Sequence, residues 1–310
     1  MISSPYERNL LPEPFPGCLS CLEGLLEKAA ELGGAGDPVL RERAQQAGRR
    51  ALEQGRVSSL SSPVVANRIL WAIRRETGMH DPYRQFKDQE MAIGQKAAAR
   101  LRPLLDGDIS SAVEMAALGN GFDFFKPPDQ AMADLESGPA GGVAFHVNHI
   151  PRLSQFLTER PALVLYLTDN AGEIFFDLPL YRYLGRLAQR VVLVVKGGPA
   201  LNDLTLADLE ASGLAREFAQ VADTGMEGVG VEWEQSSPAF KDMVMQAELM
   251  VAKGMANFET LCALALPCPI FHIFRVKCSP IQDYLHAPPN TYWALWRQAG
   301  AICRREDPGL

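Results

Sequence analysis

The strongest constraint on the fold is a rhythm in the second half of the chain. Five short apolar runs recur there: residues 162–167 (ALVLYL), 191–195 (VVLVV), 218–222 (FAQVA), 249–252 (LMVA) and 269–274 (PIFHIF). Each is bounded by Gly, Asp, Asn or Lys, and segments of helical length lie between them at 173–189, 203–212 and 238–247. Near-continuous apolar runs of this length suit strands buried on both faces, and strands alternating with helices make βαβ units. The reading is α/β: a doubly wound, mainly parallel sheet flanked by helices, spanning 143–310.

The first half has a different texture. Apolar residues at helical spacing predict helices over 18–32, 40–52, 64–73 and 81–105, with Pro63 placed for a first turn. Asp108 or Ser110 can cap a further helix reaching Gly119. No strand-like alternation is visible. A mainly helical N-terminal domain, 1–142, is therefore expected to precede the α/β domain, 143–310, that carries the site.

Composition narrows the class of protein. With 310 residues, 47% hydrophobic and 22% charged, the chain can build a sizeable core and is not of the disordered type. A net charge of −7 argues against a general nucleic-acid surface but leaves room for a local basic pocket that takes a small anion. The first 17 residues carry Pro and charge where an export signal needs an apolar run. The apolar stretch 260–276 is broken by Pro267 and Pro269 and holds His272 and Arg275, so it does not read as a membrane span. A cytoplasmic protein without membrane contact is expected. Six scattered cysteines do not form a disulfide scaffold, and reduced thiols are the expectation. Cys18 and Cys21 form a C-x-x-C, which reads either as half of a metal site or as two small apolar groups on one helix face.

In an open parallel sheet, ligands bind beyond the C-terminal ends of the strands. The residues there are Thr168-Asp169-Asn170-Ala171-Gly172-Glu173, then Lys196-Gly197-Gly198 with Asn202-Asp203, then Asp223-Thr224-Gly225, then Lys253-Gly254 with Asn257 and Glu259, then Arg275 and Lys277. All five runs end in polar, charged or Gly residues, which a purely structural sheet does not require. Asp169, Asn170 and Asp203 offer oxygen ligands of the kind that hold Mg, Mn, Co or Ni. The five histidines include no H-x-x-x-H pair, so a zinc-type nitrogen site is not supported, and no Walker A or G-x-G-x-x-G sequence is present. A metal beside several lysines is what a phosphoryl group needs. The plainer readings are that Asp169-Asn170 and Asn202-Asp203 are helix caps and that Lys253-Gly254 is a solvated turn.

Several motifs taken together, T-D-N-A-G-E at 168–173, V-V-K-G-G-P-A-L-N-D at 194–203 and K-G-M-A-N-F-E-T-L at 253–261, resemble the ARMT-like, damage-control metal-dependent phosphatase family. C-L-S-C at 18–21, D-P-Y-R-Q-F-K at 81–87 and G-N-G-F-D at 119–123 resemble its branch with an early cysteine pair. The resemblance runs through nearly the whole chain in one order. It implies a divalent ion on Asp169, Asn170 and Asp203, with Asp169 and Lys253 as the catalytic pair and Lys253 meeting the substrate phosphate. Asn257 and Glu259 would support the pocket, and Lys196 and Asp223 complete the substrate-binding set. The implied activity is hydrolysis of small phosphorylated metabolites by metal-activated water. A covalent phosphate on Asp169 is the mechanistic rival, although residue 171 is Ala and the D-x-D spacing is missing. The other readings are a non-catalytic metal- or nucleotide-binding regulatory protein and, ranked lower for want of a glycine-rich adenosyl loop, a carboxyl methyltransferase.

Overall fold

The computed structural model of the chain describes residues 16–58, 60–101, 107–121 and 143–303. Helices come first: α1 (Pro16–Gly34), α2 (Pro38–Val57), α3 (Ser62–Thr77), α4 (Arg84–Leu101) and α5 (Ile109–Gly121). Asp37 caps α2 by accepting from the Val39 and Leu40 N–H groups, and Asp108 caps α5 by accepting from Ser111 N at 2.8 Å. Pro sits in the first turn of both α2 and α3, where its missing N–H costs nothing.

The second half alternates as its apolar rhythm requires. The order is β1 (Phe145–Asn148), α6 (Ile150–Leu157), β2 (Val164–Leu167), α7 (Ile174–Leu187), β3 (Val191–Val195), α8 (Leu206–Ala211), β4 (Val221–Asp223), α9 (Pro238–Gln246), β5 (Leu249–Lys253), α10 (Met255–Leu261), β6 (Ile270–Arg275), α11 (Ser279–Leu285) and β7 (Tyr292–Arg297). The seven strands form one sheet in the order β1-β7-β6-β5-β2-β3-β4. The run β6-β5-β2-β3-β4 is parallel throughout; β7 is antiparallel to β6, and β1 is parallel to β7.

Two differences from the sequence reading have physical causes. β1 and β7 are additional strands: β1 is four residues long at the sheet edge and alternates half-buried with exposed, so it lacks the continuous apolar signal. The third predicted run, 218–222, is displaced, because Leu214–Glu217 forms a 3-10 turn and Phe218 packs into the core before β4 begins at Val221.

The strands are covered on both faces. Val164, Tyr166, Leu193, Val251 and Ile273 point to one side, into a core shared with α4, α5, α6 and α7. Leu165, Leu167, Val194, Met250 and Ala252 point to the other, against Phe240 and Val244 of α9 and Leu261 of α10. Trp233, Phe240 and Phe258 are all buried core residues, as their types suggest. α1, α2 and α3 form a third cluster that includes Ala200 and Val229, from loops beyond β3 and β4. This places the first three helices over the C-terminal edge of the parallel strands, whereas α4 and α5 share the core of the sheet. The boundary expected after residue 142 adjoins a segment outside the described residues. Cys262 and Cys303 are joined in a disulfide, contrary to the expectation of reduced thiols throughout. Among the described residues, no helix is long and apolar enough to cross a membrane.

Candidate functional site

The site forms where the loops after β2 and β3 are laced together by backbone hydrogen bonds. Leu204 N donates to Asp169 O at 2.9 Å, Ala171 N donates to Asn202 O at 2.8 Å, and an isolated antiparallel bridge pairs Asn170 with Asp203. Asp169, Asn170 and Asp203 are thereby brought side by side. α4 braces the first loop from behind: a Cβ on Gly94 would lie 2.2 Å from Gly172 O, so only glycine permits this approach. The Asp169 carboxylate rests on Gly254, where a Cβ would stand 1.9 Å from Oδ2.

The side chains are not used as helix caps. Asn170 precedes the 3-10 turn Ala171–Glu173 without a capping hydrogen bond; its Nδ2 donates instead to Glu173 Oε1 at 2.8 Å, leaving Oδ1 as an acceptor. The cap of α8 is Thr205, in a reciprocal box with Asp208, and not Asp203. Asp203 Oδ2 is buried and makes no hydrogen bond; the Lys196 ammonium stands 3.5 Å away.

Both carboxyls are held above their ordinary range. Burial raises Asp169, and the neighbouring Glu173 and Asp203 raise it further. Burial pushes Asp203 up to about 6 against the pull of Lys196. Glu90 on α4 is buried behind them, accepting from Asn202 Nδ2 at 2.9 Å, and burial pushes it up to about 9, so it is neutral near pH 7.

The structure separates the lysines into different roles. Lys253, expected to meet the substrate phosphate, is fully buried at the end of β5. Its Nζ donates to Glu173 Oε2 at 2.9 Å and to Asp177 Oδ1 at 2.6 Å. This corrects the placement: two carboxylates, at i and i+4 of the turn leading into α7, draw the ammonium beneath the site, and it is neither a solvated turn residue nor part of the cleft lining. Lys196 is also buried, donating to Gly230 O and to Asn257 Oδ1, each at 3.1 Å. Asn257 in turn donates to Thr168 O and Lys253 O, so it ties the ends of β2 and β5 together and does not line the cleft. Asp223 is exposed at the end of β4, where its Oδ1 accepts from Gly225 N at 2.7 Å in a turn, outside the cleft lining.

A cleft of about 320 Å³ opens above this edge. Asp169, Asn170, Asp203, Asn202 and Asn120 line its inner end, and Glu259 and Lys277 also reach it. Lys277 follows β6, is exposed, and is near enough to Asp169 to oppose the upward shift of that carboxyl. Burial pushes Glu259 up to about 7.

Asn120 was part of a recognisable motif but had no assigned role. Its Oδ1 accepts from Arg275 N at 2.8 Å, which turns its Nδ2 onto Asp169 Oδ2 at 3.0 Å and Glu173 Oε1 at 3.2 Å. Glu173 and Asp177 were equally unassigned; their spacing, one helical turn apart directly after Asp169-Asn170, is a signal that could have matched them to a buried cation.

The set fits a divalent cation. Among the described residues, the four carboxylates Asp169, Asp203, Glu173 and Asp177 outnumber the buried ammoniums of Lys196 and Lys253 that pair with them, although Lys87 also acts on Asp203 and Lys277 on Asp169, and one oxygen of Asp203 has no hydrogen-bond donor. Among the described residues, no three His, Cys, Asp or Glu side chains converge as a ligand set, so a cation here would rest on two carboxylates and the Asn170 amide.

Comparison with known proteins shows the family and the fold of the chain. The family model described as the damage-control phosphatase ARMT1-like domain matches residues 15–290. A protein of Pyrococcus horikoshii named as a damage-control phosphatase is 27% identical over 275 residues, covering 87% of this chain and 93% of that one. A protein of Archaeoglobus fulgidus with the same description is 26% identical, covering 86% and 93%. A crystal structure of a DUF89 family protein from P. horikoshii superposes with a TM-score of 0.78 at 26% identity, covering 90% of this chain and 96% of that one.

Proposed function

The chain belongs to the damage-control phosphatase ARMT1-like family, and from that premise we propose that it is a metal-dependent phosphatase of small phosphorylated metabolites, with Asp169, Asn170 and Asp203 holding the metal. The observation that carries the reading is the pair of buried, adjacent carboxylates, both held above the ordinary carboxylate range by burial despite the lysines nearby, with a cleft directly above. Oxygen donors of this kind suit Mn, Co, Ni or Mg. A divalent ion so held supplies Lewis-acid polarisation of a phosphoryl oxygen and makes a water more acidic.

The chain's own residues do the rest. Lys277 reaches the cleft and offsets charge that grows on the phosphoryl oxygens, the role that the sequence suggested for Lys253. Lys253 and Lys196 are positioning residues: the first clamps Glu173 and Asp177, and the second sits between Asp203 and Asn257. Asn120 orients the Asp169 carboxylate through Oδ2. Residue 171 is Ala, so no second acid stands at D-x-D spacing beside Asp169, which favours direct attack by water over a phosphorylated Asp169.

The test is phosphate release from a panel of small phosphate esters with each divalent ion in turn, for the wild type and Asp169→Asn, with metal binding followed by calorimetry. Wild-type release that needs a metal, lost together with metal binding in a folded Asp169→Asn, is the expected result. Release by the variant at the wild-type rate would overturn the assignment.

A further inference from the structure

The C-x-x-C pair has no part in the chemistry above, yet it stands at the cleft. Cys18 and Cys21, a helical turn apart on α1, line it together with Cys278, the residue that follows Lys277. A close approach of two chain segments brings these thiols together from opposite ends of the sequence. A Cβ on Gly17 would lie 3.0 Å from Pro280 Cγ and 3.6 Å from Ser279 Oγ, so the first turn of α1 rests on the first turn of α11. Cys21 and Cys278 also share a neighbour, the Glu259 carboxyl of α10. Burial pushes the Cys278 thiol up to about 11, with Glu259, Cys18 and Cys21 adding to the rise. Burial raises Cys21 as well, and Glu259 adds to it. Cys21 is exposed and Cys278 half-buried, and neither is in a disulfide.

We propose that Cys21 and Cys278 are a thiol pair that a small-molecule disulfide oxidises, stapling α1 to the loop that carries Lys277. The exposed Cys21, as thiolate, attacks one sulfur of the oxidant and expels the other half as a thiol. Cys278 then attacks Cys21 Sγ in the mixed disulfide and expels the second half. One disulfide is consumed and one is formed; two electrons pass to the oxidant, and the two thiol protons of the chain end on the two thiols released. Raised thiols hold little thiolate, so the staple forms slowly. A reductant must in turn expel a thiolate of high pKa, which leaves slowly, so the staple also persists. The bond acts on both sides of the cleft. α1 contributes Leu22 and Leu25 to its wall, and Lys277, next to Cys278, is the cation that the phosphatase reading assigns to the phosphate. Asp169, Asn170 and Asp203 lie at the inner end, held by their own backbone lacing. Resting on that reading, oxidation lowers turnover by hindering entry and immobilising Lys277, and leaves metal affinity as it was.

The full chain is incubated with millimolar oxidised glutathione, and its disulfides are located by peptide mapping without reduction. Backbone hydrogen exchange in the first turns of α1, calorimetric metal titration and phosphate release are measured on the same samples. Cys21→Ser, a substitution at an exposed position, is treated in parallel. The expected result is a Cys21–Cys278 link in the wild type, with slower exchange in α1, unchanged metal affinity and a loss of roughly tenfold or more in release that dithiothreitol restores. Treated Cys21→Ser should release phosphate at the rate of its own untreated sample. A Cys18–Cys21 or Cys18–Cys278 bond in place of the link, glutathione adducts alone, or no bond beyond Cys262–Cys303 would overturn the pairing. A Cys21–Cys278 link that leaves release unchanged would overturn its control of the cleft. No release from reduced or oxidised chain with any divalent ion, beside a mapped link and slowed exchange, would overturn the phosphatase reading while supporting the staple.

Discussion

Replacing Gly254 by alanine tests the seat of Asp169 directly. The added methyl would stand 1.9 Å from Asp169 Oδ2, 2.2 Å from its Cγ and 2.6 Å from Oδ1. Close carbon–oxygen contacts in proteins are about 3.3 Å, so the carboxylate must retreat by roughly 1.4 Å. It cannot do so freely, because Asn120 Nδ2 lies 3.0 Å from Oδ2 and Glu173 and Asp203 repel it from nearby. The backbone adds its own cost: Gly254 has φ 80° and ψ 165°, a region essentially restricted to glycine, and alanine there costs about 1–3 kcal/mol. The expected outcome is a fall of a few degrees in Tm, together with a loss of about 100-fold in metal-dependent turnover, the usual effect of a misplacement of about 1 Å. A thermal scan, calorimetric metal titration and a phosphate-release assay on the same preparation measure all three. A variant that is less stable but keeps wild-type metal affinity and turnover would show that the Asp169 carboxylate is not what holds the metal.

Three further perturbations follow from buried groups. Lys253→Met leaves Glu173 and Asp177 without their ammonium and should cost about 3–5 kcal/mol in urea denaturation; a loss under about 1 kcal/mol would refute the clamp. Glu90 has a folded pKa of about 9, above its unfolded value of 4.5, so the native state keeps a proton that the unfolded state releases. Its contribution is therefore complete below about pH 4.5 and declines as the pH rises towards 9. Glu90→Gln should flatten the decline in stability between pH 5 and 9, and parallel urea midpoints for variant and wild type across that range would contradict the burial argument. Cys262→Ala with Cys303→Ala opens a loop of 41 residues and should cost roughly 4 kcal/mol by the chain-entropy relation; intact-mass measurement of the unreduced chain, where the bridge removes two hydrogens, checks that it is formed.

The sheet was legible wherever burial on both faces left a continuous apolar run. β2, β3 and β5 coincide closely with the runs at 162–167, 191–195 and 249–252, because each strand sits in the middle of the sheet. Legibility fell towards the edges. β4 is a three-residue edge strand, its signal blurred by Phe218, which is apolar because it packs on Tyr181 and not because it is in a strand. β1, at the opposite edge, is half solvated and carries the weaker alternating pattern. In the helical half, the periodicity located the helices but not their partners: nothing in the amphipathic spacing of α4 and α5 distinguishes packing on a sheet from packing on another helix.

At the site, the backbone logic was readable and the side-chain directions were not. That polar residues after parallel strands converge is a property of the topology, so Asp169, Asn170 and Asp203 can be named together from the sequence. Whether a lysine at a strand end turns up into the crevice or down among carboxylates depends on residues elsewhere in the chain. Lys253 turns down because Glu173 and Asp177 lie beneath it, at the start of α7. Among the described residues no such pair of acids holds Lys277, and it stays at the cleft, exposed. In a loop after a strand, then, a cation's role follows from where the acids of the next helix fall. Here the i, i+4 acids after Asp169-Asn170 bind one lysine as scaffold, and Lys277, at the end of the strand two places away from theirs, is left exposed at the cleft. An ammonium so enclosed cannot follow charge that develops in the cleft, whereas an exposed one can, which is why Lys277→Ala should depress turnover with little loss of stability and Lys253→Met should show the reverse order of effects.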